Sequence, residues 1–149
     1  MRAVVQRVKS AKVEVDGVVI GQIGRGLLIF LGIEESDGPK DIGYIVEKCV
    51  NLRIFNDSKG VMNLSARDAG GALLIVSQFT IMGDVRHGQR PSYMHAGPPD
   101  AAKEIYEDTV CAFEKTGEPV QTGRFAADMQ VSLTNDGPVT LLMDSKKVF

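Results

Sequence analysis

The chain has 149 residues, of which 44% are hydrophobic and 24% charged, and its net charge is −2. This length favours one domain with a substantial core, and the composition is that of an ordinary globular protein. No apolar run approaches the roughly 20 residues that span a membrane. The first eight residues alternate like a strand and do not resemble a signal peptide. We therefore expect a single domain, residues 1–149, in the cytoplasm.

The charge is unevenly distributed. The slightly negative total argues against a non-specific nucleic-acid binder. The first twelve residues nevertheless hold four cations and no acid, and one loop holds Arg86, His87, Arg90 and His95 against a single acid. Each cluster is most simply a solvated face, but together they leave room for a local phosphate-binding surface.

The first half of the chain predicts mainly strands. In order these are a strand over residues 1–8, a hairpin of residues 13–15 and 18–20, and an apolar strand over 27–33 that is covered on both faces. A helix beginning near Pro39 follows, and two short strands flank a turn at residues 53–55 and 61–64. The helix places four apolar side chains at core-facing spacing: Ile42, Ile45, Val46 and Cys49.

The second half predicts a buried strand over residues 72–80, a loop over 81–98 and a helix that starts near Pro99 and stops before Gly117. Three further strands are expected at residues 119–122, 129–135 and 139–143. The buried stripe of the helix comprises Ala102, Ile105, Tyr106, Thr109 and Phe113. Strands with two interspersed helices are typical of an α/β domain with a mixed sheet.

An Asn-Asp-Gly sequence at residues 135–137 favours a tight β-hairpin, because all three residue types tolerate positive φ. Pro138 follows directly, and proline weakens the strand that it opens because it lacks an N–H and fixes φ. The residues leave two interpretations open. The simpler is an edge strand that begins with proline; the other is a cis Gly137–Pro138 bond that aims two main-chain carbonyls at a ligand.

Candidate chemistry lies at the end of the second buried strand, Ser77-Gln78-Phe79-Thr80. Ligand sites in α/β sheets lie at such carboxyl ends, although these side chains could also serve only nearby main-chain groups. Ser77 or Thr80 would be a nucleophile if a base lay beside it. The two histidines lie in one loop, and no Gly-x-Ser-x-Gly elbow is present. These patterns argue against a Ser/His/Asp triad and against a metal centre, and we expect no cofactor.

A site with few ionisable side chains can still act on a substrate that is already reactive. An aminoacyl ester is such a substrate, since its hydrolysis needs mainly positioning and an oxyanion hole of main-chain N–H groups. One such donor is worth roughly 3–4 kcal/mol. Ester hydrolysis therefore stays open without a catalytic triad.

Several motifs carry a resemblance to one family. They are Ser77-Gln78-Phe79-Thr80, Arg90-Pro91-Ser92-Tyr93, Thr122-Gly123-Arg124-Phe125-Ala126-Ala127-Asp128-Met129 and Asn135-Asp136-Gly137-Pro138-Val139-Thr140. Together with Gln6-Arg7-Val8 and Asn51-Leu52-Arg53-Ile54-Phe55, they resemble the signatures of D-aminoacyl-tRNA deacylases. Each motif is weak alone, but in register along the whole chain they are specific. Ala126, where many members have glycine, is a mild variation.

The resemblance implies a barrel-like arrangement of mixed β-sheet with two flanking helices. It implies an enzyme of translation quality control that hydrolyses the ester between a D-amino acid and tRNA and rejects L-aminoacyl-tRNA. Removal of glycine wrongly attached to tRNA(Ala) is implied as well. The expected partners are the acceptor end of aminoacyl-tRNA and a second copy of the chain, because the family is a cytoplasmic homodimer with its active site at the subunit interface.

Residue roles also follow from the resemblance. The segment from Ser77 to Thr80 forms the pocket floor and the catalytic region, acting through main-chain groups with help from the 2′-hydroxyl of the terminal adenosine. The Gly137–Pro138 bond is expected to be cis and to reach into the partner subunit's pocket, where its carbonyls oppose an L side chain. Arg7 is expected to brace that segment, and Met129 to line the adenosine site.

Two functions from other classes compete with this interpretation. A non-catalytic RNA-binding module would bind tRNA without turnover, but aromatic residues make up only 6% of the chain, which is poor support for base stacking. A hydrolase of free D-amino acid esters or amides would act without tRNA and without salt-dependent binding.

Overall fold

The computed structural model describes residues 1–149, which form eight strands and two α-helices. In chain order these are β1 (Arg2–Val15), β2 (Val18–Ile23), β3 (Gly26–Gly32), α1 (Pro39–Asn51), β4 (Phe55–Asn56), β5 (Met62–Leu64), β6 (Ala72–Ser77), α2 (Pro99–Glu114), β7 (Val120–Thr122) and β8 (Gln130–Asp144). A 3-10 turn, Phe79–Met82, follows β6. Neither α-helix has the length and apolar character that a membrane crossing requires.

Six of the strands form one mixed sheet with β1 at its centre. β1 pairs antiparallel with β2, β3 and β8, and the sheet continues from β3 through β6 to β7 in parallel. β2 curls towards β7, and a Cβ atom at Gly21 would lie 2.6 Å from the carbonyl oxygen of Thr122. The sheet is therefore nearly closed into a barrel, which confirms the predicted mixed, barrel-like architecture.

Two apolar cores hold this sheet. The larger lies between the sheet and the two helices, and the smaller fills the inside of the curved sheet around Val8, Leu28 and Leu74. The predicted helical stripes are confirmed, with only Ile42 and Ile105 partly exposed at their margins. The helices thus cover one sheet face because their apolar residues recur at helical spacing.

The two cysteines differ in burial. Cys49 is completely buried on α1, while Cys111 is exposed on α2. Burial raises the pKa of the Cys49 thiol, because the thiolate would lose its hydration in the apolar core. Cys49 is therefore a packing residue.

β1 is longer than predicted. The sequence suggests separate strands at residues 1–8 and 13–15, whereas β1 runs without a break from Arg2 to Val15. The polar stretch between them stays extended because it pairs with β8, for example Ser10 with Thr134 and Lys12 with Ser132. β4 and β5 lie at the expected turn, with bounds moved by one or two residues.

The predicted hairpin at residues 135–137 is wrong. β8 continues in one direction, and both of its halves pair with β1: residues 130–135 lie opposite Glu14 to Val8, and residues 140–144 opposite Gln6 to Arg2. Residues 136–139 form a loop that bulges out of the strand opposite Arg7. A 14-residue β1 can pair with both halves of β8, so the chain does not need to reverse. β8 pairs with β1 alone and is an edge strand, but it begins at Gln130 and not at Pro138 as the simpler interpretation expects.

Candidate active site

A cleft of about 830 Å³ lies where the carboxyl ends of β3, β6 and β7 meet. These three strands are parallel neighbours, so the residues that follow them converge at one sheet edge, as in other α/β sites. The lining residues come from these strand ends, from the segment before and at the start of α2, and from the start of β8: Leu31, Ile33, Glu35, Val76, Ser77, Gln78, Phe79, Tyr93, Met94, Ala96, Gly97, Pro98, Pro99, Ala102, Phe125, Ala126, Ala127, Met129 and Val131.

The chain leaves the sheet earlier than predicted at this site. β6 ends at Ser77, and the 3-10 turn begins at Phe79. Gln78 donates its N–H to the carbonyl oxygen of Leu31 at 2.8 Å, which keeps it beside β3. The turn then packs Ile81 directly on Gly32, where no Cβ atom would fit. This close approach bends the predicted strand end into a turn.

The turn separates Thr80 from its neighbours. Ser77, Gln78 and Phe79 line the cleft, whereas Thr80 is outside the lining. The hydroxyl oxygen of Thr80 accepts a hydrogen bond from the side-chain amide of Gln78. The Thr80 side chain is thus engaged with Gln78 at the outer side of the turn.

An aromatic pair forms one wall of the cleft. Phe79 is 60% exposed, and its ring meets the Tyr93 ring edge to face at 5.0 Å between centroids. Gly83 allows this contact, since a Cβ atom there would lie 2.9 Å from the Tyr93 ring. The Phe79 ring therefore presents an apolar face to the cleft, and no other part of the chain covers that face.

The loop that carries Tyr93 is closed at its base. Asp84 and Ser92 exchange two main-chain hydrogen bonds of 2.8 and 2.9 Å. The Asp84 carboxylate also pairs with the Arg86 guanidinium at 2.6 Å, and hydrogen bonds from the Arg86 side chain and main-chain N–H hold the pKa of Asp84 well below its usual range. Arg86 is therefore charge-balanced within the loop, which leaves the predicted basic cluster weaker than its sequence suggests.

The segment after β7 forms the opposite wall. Gly123 donates its N–H to the carbonyl oxygen of Ile75 at 2.9 Å. A Cβ atom at Gly123 would lie 2.7 Å from the sulfur of Met129, so the absent side chain makes room for Met129. Ala126 has a φ of +59° within the turn that follows. This left-handed backbone turns Phe125 and Ala126 towards the cleft.

Tyr106 supports β6 and the wall after β7 from behind. It is buried on α2, and its hydroxyl donates to the carbonyl oxygen of Ile75 at 2.9 Å. Its ring packs against Phe125 with 5.7 Å between centroids. Burial raises the pKa of the Tyr106 hydroxyl, so this group is a neutral donor.

A second group of predicted site residues is arranged around Arg7. The Arg7 side chain is almost completely buried, and its Nε donates to the carbonyl oxygen of Asp136 at 2.8 Å. Its Nη1 donates to the carbonyl oxygen of Ile54. The Asp136 carboxylate lies 3.4 Å from Nε. Arg7 therefore ties the bulged loop of β8 to the segment after α1.

The bulged loop is also closed from within. The Asn135 side chain donates from Nδ2 to the carbonyl oxygen of Val139 at 3.0 Å and accepts at Oδ1 from the Val139 N–H at 2.7 Å. The Gly137–Pro138 peptide bond within this loop is cis, and Gly137 has a φ of +147°. Both residues are exposed, so the loop presents its main chain to the outside.

The single chain does not bring the two groups together. Neither Arg7, Gly137 nor Pro138 lines the cleft that holds Ser77, Gln78, Phe79 and Met129. Of the two histidines, His95 lies in a small adjoining pocket and His87 is exposed on the loop. No three His, Cys, Asp or Glu side chains converge as metal ligands would. The cleft can position and polarise a ligand, mainly through main-chain, hydroxyl and amide groups.

Sequence reasoning missed Glu35, which lines the cleft, and the closing role of the Asn135 side chain. Glu35 follows β3, and the strand-end rule that found Ser77 would have found it if β3 had been paired with β6. The sequence predicts a turn at Asn135 because its residue type is common there. Its bonds to Val139 depend on the bulge, which has no local sequence signal.

Comparisons with known proteins bear on the family of the chain. The model of the family "D-Tyr-tRNA(Tyr) deacylase" matches residues 4–144. The chain is 60% identical over 149 residues to a D-aminoacyl-tRNA deacylase of Thermosipho africanus and 54% identical to one of Clostridioides difficile, in both cases over 100% of each chain.

Two solved structures share the architecture. One, described as "c-Myc DNA Unwinding Element Binding Protein", has a TM-score of 0.92 at 40% identity and covers 97% of this chain and 98% of its own. The other, a "probable eukaryotic D-amino acid tRNA deacylase", has a TM-score of 0.78 at 16% identity over 95% and 97% of the two chains, and it supports the fold alone. With the matched family model and the full-length relatives, these findings show that the chain belongs to the D-Tyr-tRNA(Tyr) deacylase family.

Proposed function

We propose that this protein hydrolyses the ester bond between a D-amino acid and the 3′-terminal adenosine of tRNA. The observation that carries the proposal is the cleft at the ends of β3, β6 and β7, which holds Ser77, Gln78, Phe79 and Met129. Its volume of about 830 Å³ is suited to a nucleoside with one amino acid attached. The remainder of the tRNA would stay outside, at the protein surface.

The chemistry follows from the few ionisable groups in the cleft. An aminoacyl ester needs an activated water and stabilisation of the oxyanion, and no strong base is required for so reactive a carbonyl. The first N–H groups of a helical turn lack intrahelical acceptors. Those of Phe79 and Thr80, at the start of the 3-10 turn, are the oxyanion donors that we propose, with the 2′-hydroxyl of the adenosine assisting the attack.

Met129 and the opposite wall would hold the terminal nucleoside. Met129 is partly exposed in the cleft and is seated against Gly123. A thioether adapts to flat apolar surfaces such as a nucleobase. The role of Met129 in adenosine binding would therefore be packing, with the reacting ester placed nearer the Ser77–Phe79 side.

The cis Gly137–Pro138 bond is the chiral filter in this proposal. Its loop is exposed, and Arg7 and Asn135 hold it in place, while it is absent from the lining of its own chain's cleft. We propose a homodimer in which this loop enters the partner subunit's cleft. Main-chain carbonyls held there would collide with the side chain of an L-amino acid and leave space for a D-amino acid.

Glycine has no side chain, so the same filter would admit it. The protein would then also clear glycine from tRNA(Ala) charged by error. Both activities belong to translation quality control, and the cytoplasm is the compartment that we propose for them.

The deciding experiment compares the deacylation of D-Tyr-tRNA and L-Tyr-tRNA by the purified protein. Rapid release of the D form with the L form intact is the expected result. Release of both forms would show esterase activity but would refute the chiral filter. Binding of tRNA without release of either would indicate an RNA-binding module, and turnover of free D-tyrosine esters at the same rate would indicate a hydrolase that ignores tRNA.

The dimer is tested separately by sedimentation equilibrium at assay concentrations. We expect a mass twice that of the chain. A fully active monomer would refute a site completed by the partner's loop.

A further inference from the structure

The carbonyl oxygen of Ile75 accepts hydrogen bonds from two other elements. One comes from the Gly123 N–H at 2.9 Å, and the other comes from the Tyr106 hydroxyl on α2, also at 2.9 Å. The carbonyl belongs to the peptide group that joins Ile75 to Val76, and Val76 lines the cleft. One oxygen atom therefore links β6, α2 and the wall after β7 beside the cleft.

Tyr106 is not itself part of the cleft surface. It is 4% exposed and is absent from the cleft lining. Its hydroxyl donates to the main chain of β6 and not towards the cleft. Any effect of Tyr106 on the reaction must therefore pass through the residues that it holds.

The wall after β7 rests on Tyr106. The Phe125 ring, which lines the cleft, lies 5.7 Å from the Tyr106 ring between centroids. Met129 is seated against Gly123, where a Cβ atom would lie 2.7 Å from its sulfur. The positions of Phe125 and Met129 therefore depend on the segment that the Tyr106 ring and hydroxyl hold in place.

Loss of the hydroxyl would loosen this segment without opening the core. In Tyr106→Phe the ring remains, and the Ile75 oxygen keeps its bond from Gly123. The oxygen loses its second donor in a buried place, which favours a shift of the peptide group towards another partner. A ligand that packs on the wall must then restrict the added motion when it binds.

We propose that Tyr106 is a positioning residue that sets the affinity for the terminal adenosine by fixing the wall that contains Phe125 and Met129. The inference rests on the proposed function, because that function places the nucleoside at this wall. One neutral hydrogen bond corresponds to a factor of roughly 2 to 10 in an equilibrium constant. Tyr106→Phe should weaken binding by a factor within this range and leave the rate of the bound substrate unchanged.

Single-turnover deacylation of D-Tyr-tRNA with the protein in excess tests this inference. It gives the half-saturating protein concentration and the maximal rate separately. In Tyr106→Phe the half-saturating concentration should rise about 2- to 10-fold, with the maximal rate within about twofold of the native value. An unchanged half-saturating concentration, or a fall in the maximal rate alone, would overturn the inference.

Inhibition by AMP locates the effect on the substrate. AMP carries the adenosine without the amino acid or the rest of the tRNA. It should inhibit the native protein at millimolar concentration, and its inhibition constant should rise in Tyr106→Phe by the same factor as the half-saturating concentration. A rise for tRNA alone, or no inhibition of the native protein by AMP, would overturn a role of Tyr106 in adenosine binding.

Tyr44→Phe is the matched control, because it removes the same atom from another helix. Tyr44 lies on α1, outside the cleft lining, and its ring contacts Lys48 and Lys147. This variant should keep the native half-saturating concentration, maximal rate and AMP inhibition. Equal changes in Tyr44→Phe and Tyr106→Phe would overturn the local role of Tyr106. Thermal unfolding of both variants measures any loss of stability.

Phe125→Leu tests the same wall without altering Tyr106. It should also raise the half-saturating concentration and the AMP inhibition constant, and native values for both would overturn the inference. Combined with Tyr106→Phe, it should weaken binding by less than the product of the two single effects, because both changes loosen one wall. An effect equal to that product would show that Tyr106 does not act through Phe125.

Failure of this inference differs from failure of the proposed function. Native turnover of D-Tyr-tRNA with unchanged behaviour of Tyr106→Phe would overturn the role of Tyr106 and leave the deacylase intact. No turnover of D-Tyr-tRNA by the native protein would refute the proposed function itself.

Discussion

The side-chain amide of Asn135 takes the place of a strand partner for Val139. It donates to the Val139 carbonyl at 3.0 Å and accepts from the Val139 N–H at 2.7 Å, so the two ends of the bulged loop are joined where β1 supplies no residue to pair with them. Gly137 and Pro138 lie between these ends. The position of the proposed chiral filter therefore depends on one asparagine as well as on Arg7.

Asn135→Ala should loosen the loop while leaving the sheet intact. Loss of the two bonds leaves the Val139 main chain without its partners, and we expect a cost of about 1–3 kcal/mol. Activity on D-Tyr-tRNA should fall at least tenfold (about 1.4 kcal/mol). Thr134→Ala, an exposed neighbour on the same strand, serves as the control in parallel thermal unfolding and deacylation assays. Equal behaviour of the two variants would contradict the closing role of Asn135.

Gly137→Ala should reduce both stability and activity. Its φ of +147° is strained for any L side chain, and the new Cβ atom would lie 2.8 Å from the Val139 nitrogen. We expect a destabilisation of about 1–3 kcal/mol, with a methyl group that also intrudes at the proposed chiral filter. The measurements are thermal unfolding and deacylation of D-Tyr-tRNA.

Gly43→Ala is the matched glycine substitution. Gly43 lies within α1 with open space around it, so alanine should stabilise the helix by roughly 0.5–1 kcal/mol. Activity should be retained in this control. Full activity of Gly137→Ala on D-Tyr-tRNA would argue against any role of the bulged loop in the active site.

Thr80→Ala should retain substantial deacylase activity, within about tenfold of the native rate, if main-chain groups perform the chemistry. The Thr80 hydroxyl is bonded to Gln78 and lies outside the cleft lining, and the substitution keeps the Thr80 N–H. Single-turnover rates would decide the question. A loss of roughly 10⁴-fold or more, as when a true nucleophile is removed, would favour a covalent mechanism instead.

Protonation of Glu118 should lower the free energy of unfolding in acid. Burial acts to raise the pKa of Glu118, but hydrogen bonds from Arg67 and Thr116 outweigh it and hold the pKa below the ordinary value of 4.5. A lowered native pKa means that the unfolded chain binds more protons. The stabilisation is therefore present above pH 4.5 and is lost as the pH falls through the native pKa of Glu118.

Thermal unfolding between pH 7 and pH 3 tests this linkage. Glu118→Gln should be less stable than the native protein at pH 7 and should lose less stability on acidification. Glu104→Gln, on the exposed face of α2, should follow the native curve. If Glu118→Gln and the native protein lost stability in parallel, protonation of the Glu118 carboxylate would not be coupled to folding.

Local patterns by themselves determined the elements of the fold. The apolar spacing of α1 and α2, the continuous apolar runs of β3 and β6, and the motifs from Ser77 to Thr140 all depend on residues close together in the chain. Helices and buried strands have a periodicity that a sequence displays directly. The mixed sheet, the buried Cys49 and the family were therefore predictable.

Only the tertiary structure decided the path of the chain at Gly137–Pro138. Asn-Asp-Gly permits a reversal, but a β1 of 14 residues pairs with both halves of β8 and keeps the chain running forward. The same holds for the cleft, where Glu35, Phe79 and Met129 come together because β3, β6 and β7 are parallel neighbours. Parallel strands pair across long crossover connections, so a local sequence pattern does not show which strands become neighbours.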